Sequence, residues 1–164
     1  MKFNKIALAF VLLFIPLYGG FCRTGIGGAY TYNLSTTPTD CVSATFRQDT
    51  QPWSVLTNAH LDCNKFSVFV DNWFINERIA EHLDYFVLWG ISGEFLKNDE
   101  KMEISTGARA GIGLDFFFFR RHLEIFTQFV WNPYYGIKLN EDNEISPLFR
   151  PASFPCTAGL RLWF

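Results

Sequence analysis

Apolar and polar residues alternate along most of this chain with a period of two, the spacing of a β-strand whose two faces meet different surroundings. The longest run is Met102 to Phe117. Ile104, Thr106, Ala108, Ala110, Ile112, Leu114 and Phe116 fall on one face, and Glu103, Ser105, Gly107, Arg109, Gly111, Gly113 and Asp115 on the other. Asp84 to Leu96 sets Tyr85, Val87, Trp89, Ile91 and Phe95 against Asp84, Gly90, Ser92 and Glu94. Leu123 to Asn132 and Lys65 to Ile75 alternate in the same way, the second placing Phe66, Val68 and Val70 opposite Ser67, Phe69, Asp71 and Trp73. Thr24 to Leu34, Cys41 to Arg47, Trp53 to Leu61 and Ser153 to Phe164 complete eight strands. Their connections are short enough for antiparallel neighbours. The longest, Pro133 to Pro151, reads as a loop, and only Asn76 to Leu83 has a pattern that a short amphipathic helix would use.

Alternation alone does not say which face is dry; the glycines do. Gly90, Gly107, Gly111, Gly113 and Gly159 share the charged face. Eight strands enclose an interior just wide enough for side chains, so glycines make room there. On a solvated outer face they would only weaken the strands. The charged face is therefore expected inside and the apolar face outside, toward lipid. Matching large residues to small ones across the strands sets Phe86 opposite Gly113, Leu88 opposite Gly111 and Gly90 opposite Arg109. Closing the ring brings Trp163 near Gly25 and Arg161 near Gly27. The expected fold is all-β, an eight-stranded antiparallel transmembrane β-barrel of the outer-membrane type.

The two ends of the sequence agree with that expectation. Met1 to Lys5 is positive, Ile6 to Leu17 is apolar, and Tyr18-Gly19-Gly20 offers small residues for cleavage. This is the plan of a secretory signal peptide, assigned to residues 1–21 with the barrel domain over 22–164. The apolar stretch is shorter than the roughly 20 residues a spanning helix needs. A lipid on Cys22 is disfavoured because Phe21, just before it, is not small. At the other end a strand finishes on Phe164, the aromatic sorting signal of outer-membrane barrels. Localisation in a bacterial outer membrane follows as the expectation. Aromatics make up 18% of the 164 residues while the net charge is only −2, so no basic excess points to nucleic acid.

Inward-pointing Arg47, Arg109 and Arg161 would lie among Asp71, Glu94, Glu103, Asp115 and Glu124, forming a lumen charge network. Charges in so narrow an interior have to pair to offset desolvation, so they are expected to plug the bore. A narrow gated conduit is the functional alternative. The three histidines, His60, His82 and His122, fall at opposite ends of the strand map and converge on no metal or nucleophile. No catalytic, cofactor-binding or metal-ligating residue is therefore expected. An exported chain meets an oxidising compartment, and Cys41 and Cys63 fall at the outer rim of neighbouring strands as a candidate disulfide, with Cys41 to Cys156 as the rival.

Val70-Asp71-Asn72-Trp73-Phe74, Gly107-Ala108-Arg109-Ala110-Gly111-Ile112-Gly113-Leu114-Asp115 and Ala158-Gly159-Leu160-Arg161-Leu162-Trp163-Phe164 resemble a family of small spirochaetal outer-membrane proteins. That family is similar in turn to the OmpA and OmpW eight-stranded barrels. The resemblance covers about residues 65 to 164 and implies a barrel whose loops face outside, whose termini face the periplasm, and which has no enzymatic activity. The partners expected are outer-membrane lipid, the barrel-insertion machinery and host or environmental proteins met by the outer loops of a monomer. An OmpW-like route for small apolar or amphipathic molecules is the rival role, and a secreted lipocalin-like binder with its apolar face inside is the third. Four cysteines, and Pro155 near the start of the last strand, depart from the family's usual pattern.

Overall fold

A computed structural model describes residues 23–35, 39–61, 64–98, 101–140 and 145–164. The leader expected over 1–21, Cys22, Cys63 and the segments 36–38, 62–63, 99–100 and 141–144 lie outside the described residues. Every regular element among them is a strand: β1 (Thr24–Ser35), β2 (Thr39–Gln48), β3 (Trp53–His60), β4 (Lys65–Ala80), β5 (Leu83–Asn98), β6 (Lys101–Phe118), β7 (Leu123–Trp131), β8 (Tyr134–Asn140), β9 (Ile145–Arg150) and β10 (Ser153–Trp163).

Strands β1 to β6 pair in order, each antiparallel to the next. The other edge of β6 takes two partners, β7 along Ala110 to Phe118 and β8 along Lys101 to Gly107. The ring closes through β7 on β10, β8 on β9 and β10 on β1. β7 with β8, and β9 with β10, are each one stave interrupted at Asn132-Pro133 and at Pro151-Ala152. The result is a closed antiparallel barrel of eight staves. Thr24 and Trp163 mark one end of the barrel, termed the inner end, and Ser35, His60 and Lys65 mark the other, termed the outer end.

Large and small residues meet in the expected register: Phe86 with Gly113, Leu88 with Gly111, Gly90 with Arg109, Trp163 with Gly25 and Arg161 with Gly27. Gly113 shows the cause. A β-carbon there would collide with the ring of Phe86, which lies flat against Trp73 with 3.6 Å between ring centroids. Those two rings, Leu88 and Val130 form an apolar cluster across the bore. Outside, the polarity is reversed: Ile112 is 61% exposed on the strand where Arg109 is 2% exposed. Outward hydroxyls do not stay idle on this apolar surface. Thr106 donates to the Ser92 carbonyl at 2.9 Å and Thr57 to that of Ala44 at 3.5 Å.

Three expectations are corrected. Pro133 to Pro151 is not a loop, because strands β8 and β9 occupy most of it. Each flanking proline removes one ladder donor and interrupts its stave without ending it. Pro147 is tolerated inside β9 because that strand pairs on one side only. Asn76 to Leu83 is no helix: it is the end of β4, whose ladder to β5 shifts register at Trp73/Ile75 and at Arg78/Ala80. Such irregularities break the period of two, which is why the segment looked helical. The Cys41 to Cys156 bridge is also excluded. Both thiols are free, β1 runs between their strands, and Cys41 points into the barrel while Cys156 points out.

Candidate functional site

The bore is filled by side chains arranged in levels. At the inner end, Arg161 and Glu124 are direct neighbours across β10 and β7, so the sheet register itself presents the guanidinium to the carboxylate. Arg161 Nη1 donates to Glu124 Oε1, Nε to Thr45 Oγ1 at 2.9 Å and Nη2 to Ser54 Oγ at 3.2 Å. The other Glu124 oxygen accepts from Trp163 Nε1 at 2.7 Å. Arg47 joins from β2, with Nη1 3.4 Å from Asp115 and 3.8 Å from Glu124. Two guanidiniums and two carboxyl groups thus meet inside a space that water barely reaches.

Aromatic faces complete the solvation. The Arg47 guanidinium lies 3.8 Å from the centre of Trp73 and that of Arg161 lies 3.9 Å from Phe126. Guanidinium, flat and weakly hydrated, suits such stacking better than an ammonium.

Farther out, Arg109 grips Asp71 with two bonds, Nε to Oδ1 at 2.7 Å and Nη2 to Oδ2 at 3.0 Å, and stacks 3.9 Å from Phe69. The pair spans three strands, with Gly90 between them in the sheet. A β-carbon on Gly90 would run into Asp71, so the bare backbone is what lets the two side chains meet. Around this level sit neutral links: Ser43 to Asn58 at 2.5 Å, Asn58 to Ser67 at 3.1 Å, Thr31 with Thr157 at 2.8 Å and Ser92 to Asn132 at 3.0 Å.

The outer mouth differs. Lys65 Nζ lies 2.7 Å from Glu94 and Arg150 Nη2 lies 3.5 Å from Glu103, the arginine side chain being 46% exposed. With Leu96, Ser105, Tyr134 and Leu148 these four line a polar recess of about 10 Å³, enough for about one water. Below it, Asn132 Nδ2 donates to the Tyr134 hydroxyl at 2.7 Å.

Arg47, Asp71, Glu94, Glu103, Arg109, Asp115, Glu124 and Arg161 all point into the barrel and are buried. They do not form one cluster. Arg47, Asp115, Glu124 and Arg161 meet at the inner end, Arg109 and Asp71 pair alone, and Glu94 and Glu103 take Lys65 and Arg150. Neither Lys65 nor Arg150 is among the lumen charges expected from the sequence. Lys65 shares the odd-numbered face of Ser67 and Asp71, a signal that was legible. Arg150 is hidden because its proline-flanked segment has the pattern of a loop.

The inner rim adds a second cluster that the sequence did not announce. Asp84 lies 3.6 Å from Arg78 Nε and accepts from Arg121 Nη2. Arg121 ends a turn in which Phe119, Arg120 and Arg121 have φ of 49°, 57° and 67°, a left-handed run that costs roughly 1–2 kcal/mol per residue. The Asp84 contact, the stacking of Arg121 on Phe117 at 3.9 Å and the bond from Arg23 Nη2 to the Arg121 carbonyl at 2.8 Å hold that turn.

The remaining candidates are dispersed. His60 ends β3 at the outer side, while His82 and His122 lie in the inner turns. Among the described residues no three His, Cys, Asp or Glu side chains are placed to share a metal. Cys41 is buried, and its proposed partner Cys63 lies outside the described residues. Phe164 exchanges backbone bonds with Thr24, N to O at 3.0 Å and O from N at 3.1 Å, so it seals the last stave to the first while its side chain stays 75% exposed. Comparison with protein-family models and with curated proteins finds no match to this chain, and the site therefore stands on its own geometry.

Proposed function

We propose that the protein is an outer-membrane barrel that serves as a scaffold: lipid covers its apolar outer face, the lumen charges plug its bore, and its outer segments meet the environment. One observation carries this reading, the inversion of polarity. Large apolar side chains such as Ile91, Ile112 and Leu160 are half or more exposed outside, while fully buried Asp71, Asp115, Glu124 and Arg161 fill the interior. A secreted carrier of the lipocalin kind needs the opposite arrangement. In water the outer face would be one continuous apolar patch, which soluble monomers avoid. In a bilayer it is the required surface, and the ring closed by β1 to β7 with β10 leaves no backbone edge in the hydrocarbon at its level.

Function on such a scaffold belongs to the outer segments, which would contact host or environmental partners, and the insertion machinery would read the strand that ends at Phe164. A second reading, a conduit for small apolar or amphipathic molecules of the OmpW kind, is favoured by the polar recess at the outer mouth. The stacked Trp73 and Phe86, with Leu88 and Val130, stand in its way below.

Membrane fractionation with heat-dependent gel migration tests the scaffold: a soluble product after export removes it. Conductance of the purified barrel in planar bilayers separates plug from conduit. Steady ion current without any mutation would favour the second reading. Deleting Phe164 is expected to lower surface levels far more than replacing Asp142, and equal levels would remove the sorting role.

A further inference from the structure

Among the described residues β9 has an unpaired edge: it pairs with β8 on one side and with no strand on the other. Bonds at the inner end of the same stave show which of its residues face that edge. Trp163, pointing into the barrel, donates to the carbonyl of His122, just before β7, whereas Phe164, pointing out, donates to Thr24 of β1. Side-chain direction and backbone direction alternate together along a strand. Inward Ser146, Leu148 and Arg150 therefore bond β8, while outward Ile145, Pro147 and Phe149 turn their backbone groups away from it. Pro147 takes no donor from the ladder to β8. The free edge keeps the N–H groups of Ile145 and Phe149 and the carbonyls of all three.

This edge belongs in water, because hydrocarbon does not tolerate unpaired backbone groups. Ile145 also shares a ladder row with a charge: it pairs with Leu139, Leu139 with Met102, and Met102 with exposed, outward-facing Lys97. The apolar side chains beside the edge are nevertheless bare. Ile145, Phe149 and Tyr135 are 71%, 65% and 61% exposed, and Tyr135 and Phe149 are direct neighbours across β8 and β9. Lipid accounts for the belt around Ile112, but not for residues next to an edge that has to stay in water. Exposed apolar side chains along an open strand edge are the surface that an added strand covers.

The mouth on the inner flank of β9 supplies the charge preference. Among the described residues there, Lys65, Lys138 and Arg150 face Glu94 and Glu103, so cations are in excess. Glu103 has Lys138 as its direct neighbour on β8 and Arg150 Nη2 at 3.5 Å. Half-exposed Arg150 can thus turn to another carboxylate while Glu103 keeps a cation beside it. Resting on the membrane-scaffold reading above, we propose that β9 is the docking edge of the scaffold: an extended segment of an external protein, in which apolar and acidic residues alternate, adds antiparallel to it. The apolar side chains of the segment lie beside Ile145 and Phe149, and an acidic one meets Arg150 at the mouth. A second copy is a poorer occupant, since two β9 edges paired along their whole length would set Pro147 against Pro147 with no donor between them.

Fluorescently labelled synthetic peptides of alternating Val and Glu test this on the full barrel in phosphatidylcholine vesicles, with peptides of alternating Val and Lys as the control. Directly opposite residues of an antiparallel pair share a face, so the Val nitrogens would face β9 and the Glu nitrogens would face away. The expected result is a saturable rise in anisotropy with the Val–Glu peptide, lost on N-methylation at Val and kept on N-methylation at Glu. Pro147→Val, which restores an edge donor, should bind about fivefold tighter, the worth of one hydrogen bond, and Arg150→Gln should lose the preference for Glu over Lys. Binding of neither peptide, or equal tolerance of N-methyl groups at Val and at Glu, overturns strand addition. Equal binding of the Val–Lys peptide to the wild-type barrel overturns the acidic partner. Dimers of the wild-type barrel that Phe149→Pro dissociates overturn the proposal in favour of a second copy. Barrels that fail to float with the vesicles sink the membrane reading and the proposal with it, whereas barrels that float and bind no peptide sink the proposal alone.

Discussion

The two ends of the lumen use the same chemistry to different effect. At the inner end, Arg161 and Glu124 are each 0% exposed and Arg47 and Asp115 are 7% and 0% exposed; at the outer end, Arg150 is 46% exposed against 10% for Glu103. A buried ion pair gains little over an apolar pair of the same shape, because desolvation cancels most of the attraction, yet removing one partner leaves a stranded charge. An exposed pair is screened and contributes little in either case. The inner cluster is therefore an all-or-none plug, whereas the outer Arg150–Glu103 pair can open and re-form at small cost. The plug also has more holding it. Trp163 donates to Glu124, Trp73 and Phe126 cover the guanidiniums, and Thr45 and Ser54 accept from Arg161 Nε and Nη2.

The largest effect is expected from Glu124→Leu, which strands Arg161 and leaves Arg47 with Asp115 alone. It should cost about 3–5 kcal/mol in denaturant unfolding of the reconstituted barrel, and adding Arg161→Met should recover much of that. If Glu124→Leu costs no more than Glu103→Leu, the distinction between the two ends is wrong. Next in size is Ile112→Arg, expected to cost roughly 2–4 kcal/mol for an arginine facing lipid near mid-depth. It contrasts with Arg109, whose charge on the opposite face of β6 is matched by Asp71; a neutral result at Ile112 would place lipid elsewhere. Gly113→Val should cost about 1–3 kcal/mol by displacing the Phe86 ring, and heat-dependent gel migration would show the lowered unfolding temperature. Arg150→Ala should cost about 1 kcal/mol or less. Raising salt should weaken the outer Arg150–Glu103 pair while leaving the inner cluster unchanged, and equal salt sensitivity of Arg150→Ala and Glu124→Leu would erase the contrast.

The same contrast separates what could be read early from what could not. Inward placement of Arg47, Arg109, Arg161 and their acids follows from a period of two, a property of each strand alone. The strand register was also legible, because Phe86 needs Gly113 and Trp163 needs Gly25 in a bore this narrow. Arg150 was not legible. Pro147 and Pro151 flank its neighbourhood, and prolines read locally as breaks, although one sits on an edge strand and the other in a two-residue interruption. The irregular end of β4 misled for a related reason, since two register shifts disrupt the alternation that identifies a strand.

By itself, then, the sequence determined that the chain forms alternating strands, which face of each is charged, and which large residue lies beside which glycine. These are local or nearest-neighbour facts, fixed by the pleat and by steric fit. Only the tertiary structure decided which acid answers which arginine, and that Lys65 and Arg150 belong to the lumen. Those depend on how far each strand slides past its neighbours when the ring closes, and the stagger of a closed barrel is a property of all the staves together.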